Sequence, residues 1–358
     1  MFRLFILLVV LSLSAFGQMK MTVAQLKSFI SSSKQLKHDD KKVAEYLKKF
    51  KMAEKLEDST IDELLASGAG QRTAEVLREM RDASKALPAA KTVPVAVVNE
   101  GPGIPPPSTE EQRKILRQAT EFAMNYTKQL PHFTCVQITR RFYDPSGLEF
   151  WQRADVLNAK LSFFELKETY KLMSINGQIP KLDISMDQVG GSTSSGEFGS
   201  LLKMVFEDKT YAKFQWERWG KLRGRLAHVY SFYIAQPNSG YMLVYEKTNE
   251  YKPALRGTIF VDNDTQMILR LAFDAVDLPP SFPIQGTNVM LDYDFQTLTD
   301  QTFLLPLRAE LKSRSGKLLT KNEIEFRLYQ RFGADINIKF DVPDALPESQ
   351  TKEQPIKP

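Results

Sequence analysis

The chain has 358 residues, 42% hydrophobic and 25% charged, a globular composition that excludes a disordered or fibrous protein. A net charge of +5 and a pI of about 9.0 suit an anionic ligand or membrane surface but fall short of a nucleic-acid-binding footprint. The single cysteine, Cys135, excludes an internal disulfide, so stability must come from a core, for which 23 Phe and 12 Tyr supply the material.

Met1-Phe2-Arg3 is a short basic start, and Leu4 to Phe16 is apolar apart from two serines. Ala15-Phe16-Gly17 sets small residues at the −3 and −1 positions of a cleavage site before Gln18. Residues 1–17 therefore read as a signal peptide, the apolar run being too short to span a bilayer. No cysteine follows the site, which argues against a lipidated lipoprotein, and no later run is long enough to span. The expectation is an exported protein, periplasmic or extracellular.

Residues 18–88 read as a helical region. Val23, Leu26, Phe29 and Ile30 have helical spacing, and Val43, Tyr46, Leu47 and Phe50 repeat it. Thr60-Ile61-Asp62-Glu63 has the form of a capping box. Gly68-Ala69-Gly70 then breaks the helix, and another starts at Thr73. This Leu-x-x-Gly-x-Gly unit resembles helix-hairpin-helix DNA modules. Its charge is mixed rather than basic, however, which favours a small bundle with helix-capping glycines and no nucleic-acid partner.

Residues 89–108 form a Pro-rich linker. Val93-Pro94-Val95 and Gly101-Pro-Gly-Ile-Pro-Pro-Pro107 cannot hold a helix, and three consecutive prolines favour an extended spacer. Ser108 to Glu111 restarts a helix with acids in its first turn, and Ile115, Ala119, Phe122, Ala123 and Tyr126 form its apolar stripe.

From Phe133 the apolar period changes from 3.6 to 2. Strands are predicted near 133–143, 150–164, 168–175, 212–219, 223–235, 241–247, 257–261, 267–276, 288–296, 303–313 and 318–332, with a short helix at 197–206. Asp262-Asn263-Asp264-Thr265-Gln266 is a hairpin turn, because Asx side chains bond their own backbone and tolerate left-handed φ. So many strands with short connections predict a meander that curls into a barrel or half-barrel over residues 109–342. Residues 343–358 read as a disordered tail. The fold class is α+β.

Gly257-Thr-Ile-Phe-Val-Asp-Asn-Asp-Thr-Gln-Met-Ile-Leu-Arg270, Leu291-Asp-Tyr-Asp-Phe-Gln296 and Phe303-Leu-Leu-Pro-Leu-Arg-Ala-Glu-Leu311 resemble the LolA-like fold of bacterial lipoprotein and lipid carriers. Phe133-Thr-Cys135, Gly191-Ser-Thr-Ser-Ser-Gly-Glu-Phe-Gly-Ser-Leu-Leu202 and Asn322-Glu-Ile-Glu-Phe-Arg-Leu-Tyr-Gln-Arg-Phe332 are similar to an uncharacterised family of secreted bacterial proteins, with no known activity to carry over. The fold resemblance implies an open antiparallel half-barrel holding a helix against a hydrophobic cavity for acyl chains. The N-terminal helices and the linker lie outside that pattern.

The candidate ligand-binding residues are the aromatics Phe214, Trp216, Trp219, Phe232 and Tyr241, with Arg218 and Arg225 placed to meet an acidic head group. The Gly-rich segment 190–199 predicts a flap at the mouth, with Gly191, Gly196 and Gly199 for freedom and Phe198, together with Leu201 and Leu202, as its apolar underside. It lacks a P-loop ending, and Glu197 would repel phosphate. Three histidines without metal spacing give no metal site and no cofactor. Cys135 reads as a buried small hydrophobe, and Asp262, Asp264, Asp292 and Asp294 as turn and strand chemistry. These features predict a non-enzymatic binding protein for a lipid, acyl chain or other amphipathic ligand. The alternative is an envelope scaffold or protein-interaction module with a self-filled barrel, reaching an envelope protein through residues 18–88. A hydrolase would need His228, a carboxylate and Ser194 or Ser195 in one cleft.

Overall fold

The change of apolar period at Phe133 is matched by a change of architecture. A computed structural model describes residues 19–35, 38–66, 69–89, 104–180, 188–190, 197–246, 248–332 and 344–356. They fall into two units, Met1–Val95 and Ala96–Pro358. The proposed signal peptide lies outside the described residues. No described helix is long and apolar enough to cross a membrane.

The N-terminal unit holds α1 (Val23–Gln35), α2 (Asp40–Leu47), α3 (Asp58–Ala66) and α4 (Gln71–Ser84). The expected stripe of α1 is buried at Val23, Leu26, Phe29 and Ile30. Phe50 does not extend the stripe of α2. It begins β2 (Phe50–Met52), which pairs in parallel with β1 (Met19–Met21), Met21 lying opposite Met52 with both side chains buried. Thr60 is not a cap either, since α3 starts two residues earlier, with Asp58 in the first turn where the helix dipole favours an acid. The start of α4 is capped from α2. The Asp40 carboxylate accepts from the amides of Arg72 (2.9 Å) and Thr73 (3.1 Å) and from the Thr73 hydroxyl (2.6 Å).

In the second unit, α5 (Thr109–Gln129) opens with a complete capping box between Ser108 and Glu111. The strands are β3 (Phe133–Asp144), β4 (Gln152–Phe164), β5 (Lys167–Ile175), β6 (Lys213–Leu222), β7 (Arg225–Ile234), β8 (Leu243–Tyr245), β9 (Asn249–Tyr251), β10 (Ala254–Asp262), β11 (Ile268–Val276), β12 (Ile284–Leu298), β13 (Gln301–Ser315) and β14 (Leu318–Arg331). Helix α6 (Ser200–Phe206) precedes β6, and α7 (Glu348–Thr351) lies near the C-terminus. Ten strands form one antiparallel sheet in the order β5-β4-β3-β14-β13-β12-β11-β10-β7-β6. β8 and β9 form a separate ribbon. The order is not a simple meander, because the early hairpins attach at both ends of the C-terminal one: β3 to β14 and β7 to β10. β5 and β6 remain as edges, so the barrel is open.

One face of this sheet closes on α5 and α6. A single apolar cluster joins Ala119, Ala123 and Tyr126 of α5 and Leu202 and Val205 of α6 to residues of β3, β4 and β14 at one side and β6 and β7 at the other. Both flanks touch the same helices, so the sheet curls around them. Tyr126 donates to the Leu304 carbonyl (2.9 Å) and Tyr230 to that of Gln112 (2.9 Å), fixing both ends of α5 to the sheet. The Asx turn forms as predicted: Asp262 accepts from the Thr265 amide (3.0 Å) and hydroxyl (2.7 Å), and Gln266 takes a φ of 57°.

The C-terminal segment corrects the expectation of a disordered tail. Residues 344–356 are seated on the sheet through an antiparallel bridge between Leu222 and Glu353 and a bond from the Gln354 amide to the Lys221 carbonyl (2.8 Å). Low hydrophobicity removes a tail's own drive to fold, but carbonyls and carboxylates can still dock where donors are pre-arranged.

Candidate functional site

Register decides which of the candidate aromatics share a face. Phe214 lies opposite Phe232, Trp216 opposite Tyr230 and Trp219 opposite His228, with a bulge between Trp216 and Arg218. Without the extra residue Glu217, Trp219 would point away from Trp216, because side chains alternate along a strand. With it, Phe214, Trp216 and Trp219 line the concave face beside His228, Tyr230 and Phe232. The two indoles meet edge-on at 6.1 Å. Trp219 lies over the His228 ring at 4.2 Å, and Trp216 Nε1 donates to His228 Nδ1 (3.3 Å). Trp219 Nε1 donates in turn to the Pro105 carbonyl (3.2 Å), so the polyproline entry to α5 runs over this corner.

Among the described residues, several of these side chains are packed against others. Phe214 stacks on Phe206 of α6 at 5.2 Å, Phe232 is buried, and Tyr241 meets Phe273 edge-on at 5.1 Å. Further along, Tyr126 meets Tyr293 edge-on, and Phe133, Phe163, Phe198, Phe326 and Tyr329 form a second group of ring-to-ring contacts. A groove of about 220 Å³ lies elsewhere, lined by Trp151, Thr287, Lys312, Arg314 and Leu319 among others. That is below the roughly 300–1,000 Å³ of ligand pockets. It contains none of the candidate aromatics.

Both candidate arginines already have carboxylate partners. Arg225 forks onto Asp262 (2.8 and 2.6 Å) and lies 4.8 Å from the Phe295 ring centroid. Arg218 pairs with Glu353 of the C-terminal segment. Gly191 and Gly196 of the expected flap lie outside the described residues, as do Ser194 and Ser195. Phe198 is 1% exposed and touches Phe133, Phe163 and Phe326. Gly199 has a φ of 121°, and a Cβ there would sit 2.2 Å from Thr127 Oγ1. These two residues anchor the start of α6 in the core.

Burial disfavours the charged forms of titratable groups on the concave side. Desolvation lowers the His228 pKa against the opposing pull of Asn263, Asp262 and Glu111. Burial drives the Cys135 thiol far above its ordinary range, against a hydrogen bond from Tyr329 that lowers it. A thiol kept protonated in the core is not a nucleophile. Among the described residues no three His, Cys, Asp or Glu side chains are grouped to hold a metal ion.

A polar constellation of four arginine–aspartate contacts lies on the convex face. Asp292, fully buried, receives Arg270 in a fork (2.6 and 2.9 Å), with Arg308 at 3.5 Å and Arg223 at 3.9 Å. Arg223 also reaches Asp294 (3.5 Å) and donates to the carbonyls of Leu269 (3.3 Å) and Tyr293 (2.5 Å). From the sequence Asp292 and Asp294 read as strand chemistry, with no link to Arg223, Arg270 or Arg308. The available signal was a run of charges at alternate strand positions, which only the β11–β12–β13 register converts into a cluster.

No family model matches the chain, and no curated protein matches it. Among solved structures it is similar to a LolA superfamily protein from Nitrosomonas europaea, with 10% identity, 62% of this chain and 94% of that one covered, and a TM-score of 0.33. An outer membrane lipoprotein-sorting protein domain from Vibrio parahaemolyticus matches with 11% identity over 65% of this chain and 97% of that one, at a TM-score of 0.34. A DUF1329 family protein from Desulfovibrio piger matches with 8% identity over 63% and 96%, at 0.29. The open antiparallel sheet around a helix is the arrangement implied by the LolA-like resemblance at Gly257–Leu311.

Proposed function

We propose that this chain is an exported, non-enzymatic interaction module of the cell envelope, whose half-barrel is filled by its own side chains and offers its faces and edges to another protein. The observation that carries this is the aromatic filling of the concave side by Tyr126, Phe133, Phe163, Phe198, Phe326 and Tyr329. A half-barrel that carries an acyl chain needs a void of several hundred Å³ where these rings stand. A second reading, a carrier of lipid or another amphipathic ligand, draws support from the half-buried Trp216 and Trp219 beside the free edge of β6. Native mass spectrometry of the protein purified from its own host separates the two. The interaction reading expects a lipid-free mass in detergent-free buffer. A stoichiometric acyl-chain adduct lost on Trp216→Ala would overturn it in favour of the carrier.

A further inference from the structure

The C-terminal segment is held by a receptor that is complete without it. Arg218 forks onto the Glu353 carboxylate, one bond being 3.0 Å. Arg270 Nη2 donates to the Thr351 carbonyl (2.7 Å) and Arg223 Nη1 to that of Gln350 (3.4 Å). The Gly224 amide donates to Gln354 Oε1 (2.8 Å), and the end of β6 pairs with Glu353 and Gln354. Further back, Arg327 holds the Asp344 carbonyl (2.5 Å), and the Leu346 amide donates to Glu325 (2.9 Å). None of residues 344–356 is buried, so the segment adds little to the core. Meanwhile Arg223 and Arg270 are already oriented by Asp292 and Asp294 and present only their remaining N–H donors. Gly220 completes the shape: a Cβ there would lie 2.8 Å from Val229, 2.9 Å from Phe260 and 3.0 Å from Glu353 Oε1. Only a glycine lets a carboxylate come this close to the strand.

We propose that this cradle on the convex face, built from Arg218, Gly220, Arg223, Arg270 and the free end of β6, is a binding site for an extended acidic peptide of a partner protein, and that the chain's own C-terminal segment is its displaceable occupant. The recognition chemistry is that of the resident: a glutamate for the Arg218 fork, two carbonyls for Arg270 and Arg223, and strand pairing along Lys221–Gly224. Residues 344–356 carry three carboxylates, Asp344, Glu348 and Glu353, against one lysine, Lys352. Edge pairing provides backbone affinity and the arginines provide the preference for acid. The inference rests on the interaction-module reading but concerns a different observable from the lipid test.

The test uses the full chain carrying Ile356→Cys labelled with a fluorophore, Cys135 being buried. The probe is a synthetic peptide of residues 344–358. Unlabelled peptide in excess is expected to free the labelled segment and lower its anisotropy, at concentrations that rise with salt. A peptide with Glu353→Gln should need about tenfold more, the loss of one charge-assisted fork. Full chain with Glu353→Ala, whose resident is weakened, should bind the wild-type peptide more tightly, and adding Arg218→Gln, at a half-exposed side chain, should abolish that gain while leaving the thermal midpoint of unfolding near wild type. No displacement at millimolar peptide, together with no peptide binding by the Glu353→Ala chain, overturns the proposal. So does release that tracks protein concentration with a dimeric elution volume, which would make the cradle an exchange site between copies. Failure here with a lipid-free mass leaves the interaction reading in place and removes only this site.

Discussion

His228 and Asp292 illustrate two ways a buried polar side chain is made tolerable. His228 gives up its charge. Stacked by Trp219 and accepting from Trp216, it has a folded pKa below the ordinary value of about 6.5, with desolvation the leading cause. A depressed folded pKa means that the unfolded state binds the proton more readily. The stability is therefore fully present above about 6.5 and lost as pH falls through the folded value. Tryptophan fluorescence should accordingly shift on acidification below about pH 6, and the shift should be absent in His228→Gln; an unchanged profile in that variant would exclude His228 as its source. Asp292 keeps its charge and is neutralised by arginines. Asp292→Asn should cost about 3–5 kcal/mol, because Arg270 stays buried without its counter-charge. Asp264→Ala, on an exposed turn carboxylate, should cost under about 0.5 kcal/mol. Urea midpoints at constant m-value measure both. The stripe of α5 and the Asx turn at Asp262 were legible residue by residue because both depend on neighbours in sequence. The partners of Asp292 were not, since they come from β11, β13 and the turn after β6.

At the level of elements, the junction between α2 and α4 is the clearest case of a boundary that sequence marks and tertiary contact completes. Gly70 announces a helix start, but it offers no side chain to cap one. Asp40 does so from thirty residues away in the chain. Burial raises its pKa, but hydrogen bonds from Thr73 and Arg72 outweigh that and hold the carboxyl below the ordinary value. The cap's contribution is thus present above about pH 4 and declines as pH falls through the lowered value. Asp40→Ala should destabilise the N-terminal unit by about 1 kcal/mol at pH 7, within the usual range for helix caps. The difference from wild type should shrink towards pH 2, as followed by helical circular dichroism; a difference that stays constant with pH would show that the carboxylate charge is not what caps α4. Element boundaries misread from sequence, Phe50 as helix and Thr60 as cap, failed because a buried position at helical spacing is equally satisfied by a strand paired to β1.

For the molecule as a whole, the apolar cluster of the second unit draws its buried members from Ala119 onward. In the N-terminal unit the helices bury Leu26, Phe29, Leu47, Leu64 and Leu77. Leu202→Ala, in the part of the second unit's cluster supplied by α6, should cost that unit about 2–5 kcal/mol, read as a fall in its urea midpoint. A cost under about 1 kcal/mol would show that α6 is not packed into the core.

By itself the sequence determined the elements and their class: helices before the proline run, alternating strands after it, the hairpin turn at Asp262 and a core rich in aromatics. These follow from periods and turn chemistry within a few residues, where backbone geometry acts. Only the tertiary structure decided the strand order, with β3 joined to β14 and β7 to β10, the bulge that turns Trp219 to the face of Trp216, and the docking of residues 344–356. Each depends on pairings between strands far apart in the chain. A single-residue change of register reverses every face, and no local pattern records which distant donors a polar tail will meet.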